Sequence, residues 1–236
     1  MIGINDYKNP GVPPLKTAVK DAEVVAEVLQ EGYGFDVRLL LNATRNQIIE
    51  AIIDYRKNLE ENAHLLIYYA GHGLFDENVQ KGYWLPVDAT RDNPANWISA
   101  SDITDQSQAI RAGHLLIISD SCYSGTLSRD PMARIDVPTE RTRMLNRMLE
   151  SPSRTLMASG GNEPVDDGTG HSVFAAALLA GLQKIKVDVF TADELFYQHI
   201  RSQVAGSSRQ TPEYSQLRGP RHKNGDFVFR RKAKAK

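Results

Sequence analysis

Two kinds of apolar pattern alternate along the chain. Short, nearly continuous apolar runs rich in β-branched and aromatic residues, such as HLLIYYA (64–70) and HLLIISD (114–120), are typical of strands covered on both faces of a sheet. Between them, apolar residues recur every three or four positions, most clearly in 15–34, 43–60 and 171–183, which predicts amphipathic helices. Strands that alternate with helices in this way predict an α/β fold with a mostly parallel sheet and helices on both faces.

Weaker patterns complete the predicted fold. They indicate strands at 1–5, 35–42, 154–159 and 225–230, and helices at 101–113 and 191–205. No internal repeat or domain boundary is visible, so we expect one domain over residues 1–230. Within it, residues 126–153 are predicted to be a long, charged, arginine-rich linker between strands, and residues 231–236 a solvated basic tail.

Composition and charge narrow the setting. The chain has 236 residues, of which 41% are hydrophobic and 24% charged, as in ordinary soluble globular proteins. The net charge of −1 gives no general attraction to nucleic acid, and no apolar run reaches the ~18 residues of a membrane span. The start of the chain lacks the pattern of a signal peptide, and a single cysteine cannot form an internal disulfide. We therefore predict a cytoplasmic protein with no nucleic-acid or membrane partner.

Two of the predicted strands end in turns that carry reactive side chains. His72 follows the first strand within a Gly-His-Gly turn, and Cys122, the only cysteine, follows the second within Asp-Ser-Cys-Tyr-Ser-Gly. The carboxyl ends of parallel strands meet at one edge of a sheet, so neighbouring strands would bring the imidazole and the thiol together. An adjacent imidazole activates a thiol as a nucleophile by taking its proton. The backbone N–H groups of Gly73 and Cys122 are then candidates for binding the oxyanion of an attacked carbonyl.

Each of these features also has a purely structural interpretation. A lone buried cysteine at the end of a strand is more often a small core residue than a nucleophile, and a lone Gly-His-Gly turn is compatible with a simple strand cap. The pair, at two matching strand ends, is more informative than either turn alone. The other histidines are expected at the starts of strands, on helices or in a polar loop, at positions 64, 114, 171, 199 and 222. No His/Cys cluster has the spacing of zinc ligands.

A series of motifs along the chain completes this pattern. They are GINDYKN at the start, LKTAVKDAEVVAEVL in the first helix, YYAGHG, GYWLPVDA, DSCYSG, and QTPEYSQLRGPRHKNGDFVF near the end. Together they resemble the caspase-like cysteine peptidases, in particular the bacterial metacaspase-like (orthocaspase) type. His72 and Cys122 also have the ~50-residue separation typical of caspases. The resemblance implies a caspase-like three-layer sandwich with a mostly parallel six-stranded sheet, and a His72–Cys122 catalytic dyad.

The resemblance also implies a substrate preference. In metacaspases, an acid two residues before the nucleophile and a second acid on the first helix line a pocket that accepts arginine or lysine. Asp120 and Asp21 stand at these positions, and carboxylates that take a guanidinium bidentately favour arginine over lysine. Alternatively, Asp21 is a solvated helix residue and Asp120 a carboxylate bonded to turn amides. Ala70 stands where metacaspases often carry a serine, so one possible pocket contact is lost.

An arginine-specific enzyme would carry its own cleavage sites in the linker. The stretch 126–155 holds six arginines and no lysine, and part of it, around 144–149, has the pattern of a short amphipathic helix. By resemblance to processed caspase relatives, we predict self-cleavage after Arg129, Arg134 or Arg147. Alternatively, the arginines only solubilise a surface loop.

No cofactor is expected. Many metacaspases need calcium, but the corresponding stretch here offers only Asp102 and Asp105, with Asp130 nearby, and calcium takes six to eight oxygens. We therefore predict no obligatory metal, and a monomer whose partners are protein or peptide substrates with Arg or Lys at the cleavage site. Two other functions remain open. One is a catalytically idle caspase-like binding or regulatory module, and the other is a hydrolase or transferase of the same fold with a non-peptide substrate.

Overall fold

The computed structural model of the protein describes residues 1–121, 141–160, 170–217 and 219–233, together with the backbone of 130 and 131. Its strands are β1 (Ile2–Gly3), β2 (Leu40–Leu41), β3 (His64–Ala70), β4 (Gly73–Asp76), β5 (Lys81–Trp84), β6 (Ile98–Ser99), β7 (His114–Asp120), β8 (Asp130–Pro131), β9 (Ser153–Ala158), β10 (Val189–Thr191), β11 (Glu213–Gln216) and β12 (Val228–Arg230). Its α-helices are α1 (Ala18–Tyr33), α2 (Arg45–Asn58), α3 (Ala100–Ala109), α4 (Arg141–Glu150), α5 (Val173–Lys184), α6 (Ala192–Leu195) and α7 (Arg201–Ser207).

The central sheet has the strand order β2-β1-β3-β7-β9-β11, and the two-residue β8 adds to its last edge. The pairs from β2 to β9 are parallel, whereas β11 is antiparallel to β9 and to β8. Residues that alternate along a strand face opposite sides of the sheet, and two apolar clusters follow from this alternation. Tyr68 and Ile118 belong to one cluster with α1 and α5, and Tyr69 and Ile117 belong to the other with α2 and α3. The predicted α/β sandwich with a mostly parallel sheet is confirmed.

Local sequence signals account for several helix ends. Thr44 begins α2 with a capping box, in which its side chain accepts from the Gln47 N–H. Gly34 ends α1 in the left-handed conformation (φ 77°), which glycine adopts at little cost. Ser172 caps α5 by accepting from the Ala175 N–H at 2.8 Å. This last cap also places Ser172 beside the sheet, where the candidate site lies.

Several weaker sequence predictions were wrong in detail. The strand expected at 35–42 is reduced to Leu40–Leu41, and the one expected at 225–230 pairs with β10 in a separate two-stranded sheet. The strand that the C-terminal region gives to the central sheet is β11. The three-stranded antiparallel sheet β4-β5-β6 has no sequence counterpart, because the residues of β4 are half-exposed and show no clear alternation. The helix expected at 191–205 is divided into α6, a π-helical segment (196–200) and α7.

The linker contains regular structure. The amphipathic helix expected near 144–149 is present as α4, whose Leu145 is buried. Because β9 begins at Ser153, the last linker residue is already part of the central sheet. Arg154, counted among the arginines of this stretch, is fully buried in β9.

Candidate active site

The register of two neighbouring strands sets the geometry of the candidate site. β3 and β7 pair in parallel from His64 opposite His114 to Ala70 opposite Asp120. The Gly71 N–H then donates to the Asp120 carbonyl at 3.4 Å. His72 is the second residue beyond Ala70, and Cys122 is the second beyond Asp120, so their turns leave the same edge of the sheet. Cys122 itself lies outside the described residues.

Two tyrosine hydroxyls hold the peptide groups around His72. The His72 N–H donates to Tyr7 Oη at 2.7 Å, and Tyr69 Oη donates to the His72 carbonyl at 2.8 Å. The Tyr7 ring also packs against the imidazole, with the ring centroids 4.9 Å apart. These contacts fix the backbone from which the imidazole projects.

The imidazole of His72 is oriented by a backbone carbonyl. Its Nε2 lies 2.8 Å from the Pro13 carbonyl oxygen, which can only accept a hydrogen bond. Nε2 is therefore the protonated nitrogen of the neutral ring, and Nδ1 carries the lone pair that can take a proton. A neutral imidazole with one unprotonated ring nitrogen can act as the base that activates a thiol. Gly73, whose N–H is one of the two predicted oxyanion donors, is half-buried at the start of β4.

Amide side chains shape the loop that brings Pro13 onto His72. Asn42 Oδ1 accepts from the N–H groups of Asn5 and Asp6, at 2.8 and 3.1 Å. Asn5 Oδ1 accepts in turn from the Val19 N–H at the start of α1, at 3.1 Å. Asn42 adopts a left-handed conformation (φ 48°), which asparagine tolerates better than most residues. Tyr7 lies in the motif GINDYKN and Pro13 lies between the first two motifs, and sequence reasoning assigned no role to either residue.

The two predicted pocket acids meet at the N-terminus of α5. Asp21 lies in the first turn of α1 and Asp120 is the last residue of β7. The Ser172 N–H donates to Asp21 Oδ2 at 3.0 Å, and Ser172 Oγ donates to Asp120 Oδ2. His171 Nδ1 lies 2.5 Å from Asp21 Oδ1, and Tyr68 Oη donates to Asp120 Oδ2 at 3.4 Å. Residues 150 positions apart in the chain are thus brought into one cluster.

Burial changes the acidity of both carboxyl groups. Asp21 is 0% and Asp120 2% exposed. The pKa of Asp120 is raised to about 7, chiefly by burial and also by the charge of Asp21, while hydrogen bonds from Ser172 and Tyr68 oppose the rise. Burial also raises the pKa of Asp21, while hydrogen bonds from Ser172 and His171 oppose the change. A cation placed between these groups would favour their ionised forms.

The two acids differ in their free hydrogen-bonding capacity. Both oxygens of Asp21 are occupied, by His171 and by the Ser172 N–H. Asp120 Oδ1 is buried and has no hydrogen-bond partner among the described residues. The alternative interpretation of Asp21 as a solvated helix residue was therefore wrong. The described partners of the Asp120 carboxylate are side-chain hydroxyls and not turn amides.

The linker arginines have different surroundings. Arg129 and Arg134 lie outside the described residues, whereas Arg147 is an exposed residue of α4. Arg141, at the start of α4, pairs with Glu194 and donates to the Val189 carbonyl at 2.8 Å. Arg154 cannot be a cleavage site in the folded protein, because it is fully buried.

The remaining histidines are mostly remote from this edge of the sheet. His64 and His114 lie at the amino ends of β3 and β7, as their sequence positions predicted, and their tilted rings pack with centroids 4.6 Å apart. His171 is different, because it contacts Asp21 in the acidic cluster. The sequence placed it only at the start of a helix, and its one visible signal was its position beside the cap residue Ser172.

The described residues also bear on metals and membranes. Asp102 and Asp105 are both exposed on α3, and the side chain of Asp130 is not described. No group of three or more His, Cys, Asp or Glu side chains within the described ranges could hold a metal ion. In the same ranges, no helix is long and apolar enough to cross a membrane.

Comparisons with known proteins agree with this architecture. A crystal structure of the Geobacter sulfurreducens protein GSU0716 has a TM-score of 0.64 and 20% sequence identity, covering 93% of this chain and 92% of that one. The Drosophila initiator caspase Dronc has a TM-score of 0.63 and 14% identity, covering 96% of this chain and 80% of that one. At these identities the likeness shows the fold alone.

Two curated relatives match part of the chain. The human mucosa-associated lymphoid tissue lymphoma translocation protein 1 is 29% identical over 125 residues, which are 52% of this chain and 14% of that protein. Its mouse homolog is 29% identical over 113 residues, 47% of this chain and 13% of that protein. The matched region is therefore a small part of these relatives. The sequence model of the caspase domain matches residues 1–221, and the chain accordingly belongs to the caspase domain family, a family of cysteine peptidases.

Proposed function

We propose that this protein is a cysteine endopeptidase that uses His72 and Cys122 to cleave peptide bonds after arginine and, less readily, after lysine. The observation that carries the proposal is the β3–β7 register, in which Ala70, two residues before His72, lies opposite Asp120, two residues before Cys122. The hydrogen bond between His72 Nε2 and the Pro13 carbonyl supports it, because it leaves Nδ1 as the basic nitrogen.

The proposed reaction is acyl transfer through the thiol. His72 Nδ1 takes the proton of Cys122, and the thiolate attacks the carbonyl carbon of the scissile bond. Backbone N–H groups of Gly73 and Cys122 bind the oxyanion of the tetrahedral intermediate. The intermediate collapses as His72 returns the proton to the leaving amine, and a water molecule then hydrolyses the thioester. The hydrogen bonds from Tyr69 and to Tyr7 hold the peptide groups of His72 in place during these steps.

The acidic cluster supports the preference for arginine, the property that the resemblance to metacaspase-like enzymes implies. Asp120 Oδ1 is a buried acceptor without a described partner, and a guanidinium or ammonium group would supply one. Asp21 adds a second negative charge, held in place by His171 and Ser172. A substrate aspartate would place a third carboxylate beside two buried acids, which is strongly unfavourable. Cleavage after aspartate is therefore excluded in the proposed function.

The same preference makes the protein's own linker a substrate. We propose that self-cleavage in residues 126–153 divides the chain into a larger piece with His72 and Cys122 and a smaller C-terminal piece.

A turnover assay tests the proposed function. Peptides with Arg, Lys or Asp before the reporter group are incubated with the wild-type protein, with Cys122→Ala and with His72→Ala. We expect cleavage in the order Arg, then Lys, with none after Asp, and a loss of several orders of magnitude in either variant. The double variant should be hardly slower than the single ones, because the two residues act as a unit. Circular dichroism confirms that each variant is folded. A folded wild-type protein without turnover would favour the binding-module alternative, and full activity in Cys122→Ala would exclude the proposed mechanism.

A further inference from the structure

A stacked aromatic pair lies between the histidine turn and the end of β7. The rings of Tyr69 and Trp84 are parallel within 5°, with centroids 4.3 Å apart, and both residues are buried. Tyr69 Oη reaches the histidine turn by donating to the His72 carbonyl at 2.8 Å. Trp84 Nε1 points to the other strand, where it donates to Ser119 Oγ at 2.9 Å. One rigid pair thus contacts the histidine turn and the strand that leads to Cys122.

The hydrogen bonds continue from Ser119 to the start of the cysteine turn. Ser119 and Ser121 are two positions apart on β7 and its extension, so their side chains lie on the same face. Their hydroxyl oxygens are 3.0 Å apart, and the residues are 0% and 1% exposed. Ser159 holds the same segment from the next strand, through its N–H to the Ser119 carbonyl at 3.0 Å and its hydroxyl to the Ser121 carbonyl at 3.3 Å. Ser121 is covalently joined to Cys122.

This polar chain is unusual for its place in the fold. Tyr69 and Trp84 belong to the apolar cluster between the sheet and helices α2 and α3. Buried hydroxyl and indole N–H groups in such surroundings need partners, since an unsatisfied buried polar group destabilises the folded protein. Satisfied buried networks of this kind fix one arrangement of the groups that they join. The groups joined here are the histidine turn and Ser121, the residue before Cys122.

We propose that Ser119 and Trp84 are positioning residues, which set the start of the cysteine turn relative to His72 through the bonds Trp84 Nε1 to Ser119 Oγ and Ser119 Oγ to Ser121 Oγ. The proposal rests on the proposed function only in taking Cys122 as the nucleophile. Neither residue is a member of the proposed dyad. Their effect is on the geometry of proton transfer and attack, to which catalytic rates are steeply sensitive.

The test uses two variants, each of which removes one partner of the hydrogen bond between Trp84 Nε1 and Ser119 Oγ. Ser119→Ala removes the acceptor, and Trp84→Phe removes the N–H but keeps an aromatic ring against Tyr69. Ser107→Ala is the matched control, because Ser107 is 1% exposed and its hydroxyl donates to the Thr104 carbonyl at 2.6 Å, away from both turns. For each protein we would measure kcat, KM and the melting temperature. We would also measure the pH profile of alkylation by iodoacetamide, which reports on Cys122 alone because the chain has one cysteine.

We expect Ser119→Ala and Trp84→Phe to lower kcat roughly tenfold or more with KM unchanged. The pH midpoint of alkylation should rise toward about 8.5, the pKa of a free thiol, because the thiolate is no longer held beside His72. The double variant should be no slower than the slower single one, since both changes remove the same bond. Ser107→Ala should lower the melting temperature without changing kcat or the alkylation midpoint.

Two outcomes separate this proposal from the peptidase function. Unchanged kcat and alkylation midpoint in folded Trp84→Phe would overturn the positioning role, whatever Ser119→Ala does to folding. If the wild-type protein turns over no peptide but the alkylation midpoint still rises in both variants and not in the control, the positioning role stands and the peptidase function fails.

Discussion

Asp120 combines three properties that belong together in a cation-binding residue. It is 2% exposed, one of its oxygens has no described hydrogen-bond partner, and burial raises its pKa to about 7. A buried acid with an open acceptor costs the folded protein free energy, which a bound guanidinium would offset. Asp21, by contrast, has both oxygens engaged. We therefore expect Asp120 to make the direct contact with substrate, and Asp21 to add charge behind it.

Asp120→Asn should weaken recognition of arginine substrates and leave the protein folded. The asparagine keeps the oxygen that accepts from Ser172 but loses the charge, so kcat/KM for arginine peptides should fall by well over tenfold, because loss of one partner of a desolvated charge pair costs ~2–5 kcal/mol. Asp102→Asn, on the exposed surface of α3, is the matched control and should leave kcat/KM unchanged. Retained arginine cleavage in Asp120→Asn would remove Asp120 from the pocket.

The raised pKa of Asp120 makes arginine binding pH-dependent. Below about pH 7 the carboxyl is largely neutral in the free protein, so affinity for a guanidinium should weaken as the pH falls through 7 and strengthen as it rises. Calorimetric titration of Cys122→Ala with arginine amide across neutrality isolates this effect from catalysis. The pH dependence should disappear when Asp120→Asn is added. A pH-independent affinity in Cys122→Ala itself would show that Asp120 is already ionised in the free protein.

At the level of elements, α4 divides the linker arginines into two classes. Peptidases bind extended segments, whereas the backbone of a helix is occupied by its own hydrogen bonds. Arg147 lies within α4, and the helix is held at its start by the contacts of Arg141 with Glu194 and the Val189 carbonyl. The helix therefore makes Arg147 a poorer site than the sequence alone suggested, and leaves Arg129 and Arg134 as the favoured candidates.

Self-cleavage should accordingly begin before α4. We expect new N-termini after Arg129 or Arg134 when purified protein is incubated and mapped by mass spectrometry, and none in Cys122→Ala. Arg129→Gln combined with Arg134→Gln should abolish the first cut, whereas Arg147→Gln should leave its rate unchanged. If the first cut falls after Arg147, α4 opens more readily than its contacts indicate. Equal nicking of Cys122→Ala would identify the linker as an ordinary loop.

At the level of the whole molecule, one buried arginine forms hydrogen bonds between the segments that precede and follow the linker in the sequence. Arg154 is 0% exposed, and its guanidinium donates to the backbone carbonyls of Ser107, Ile110, Ala112, Gly113 and Ser153, at 2.7–3.1 Å. Four of these carbonyls precede the linker and Arg154 follows it. β9 also pairs with β7 across the same division. The two pieces of a cleaved chain should therefore stay associated.

Replacement of Arg154 should destabilise the protein strongly. Arg154→Met leaves several buried carbonyls without donors, so the free energy of unfolding should fall by at least ~3 kcal/mol. The control is Arg111→Met, because Arg111 forms a largely exposed pair with Glu60, and such pairs contribute ~0–1 kcal/mol. Urea unfolding followed by circular dichroism measures both. Equal midpoints for the two variants would show that the carbonyls find other donors.

The sequence by itself determined the elements whose signals are local. The strands β3 and β7, the main helices, and the turn with His72 all follow from apolar periodicity and glycine placement along a few consecutive residues. Their order predicts an α/β fold with a mostly parallel sheet, and the caspase-like form of that fold was implied by the resemblance of the motifs. Such patterns report which side of an element is buried, because burial repeats with the period of the element itself.

The tertiary structure alone decided which distant residues meet. Pro13 and His72 are 59 positions apart and Asp21 and His171 are 150 apart, and no local pattern encodes either contact. The same holds for β12, whose apolar residues fit a sheet but do not reveal that its partner is β10. Strand choice and side-chain contacts depend on how the whole chain packs, because hydrogen-bond partners are selected by proximity in the folded state and not by position in the sequence.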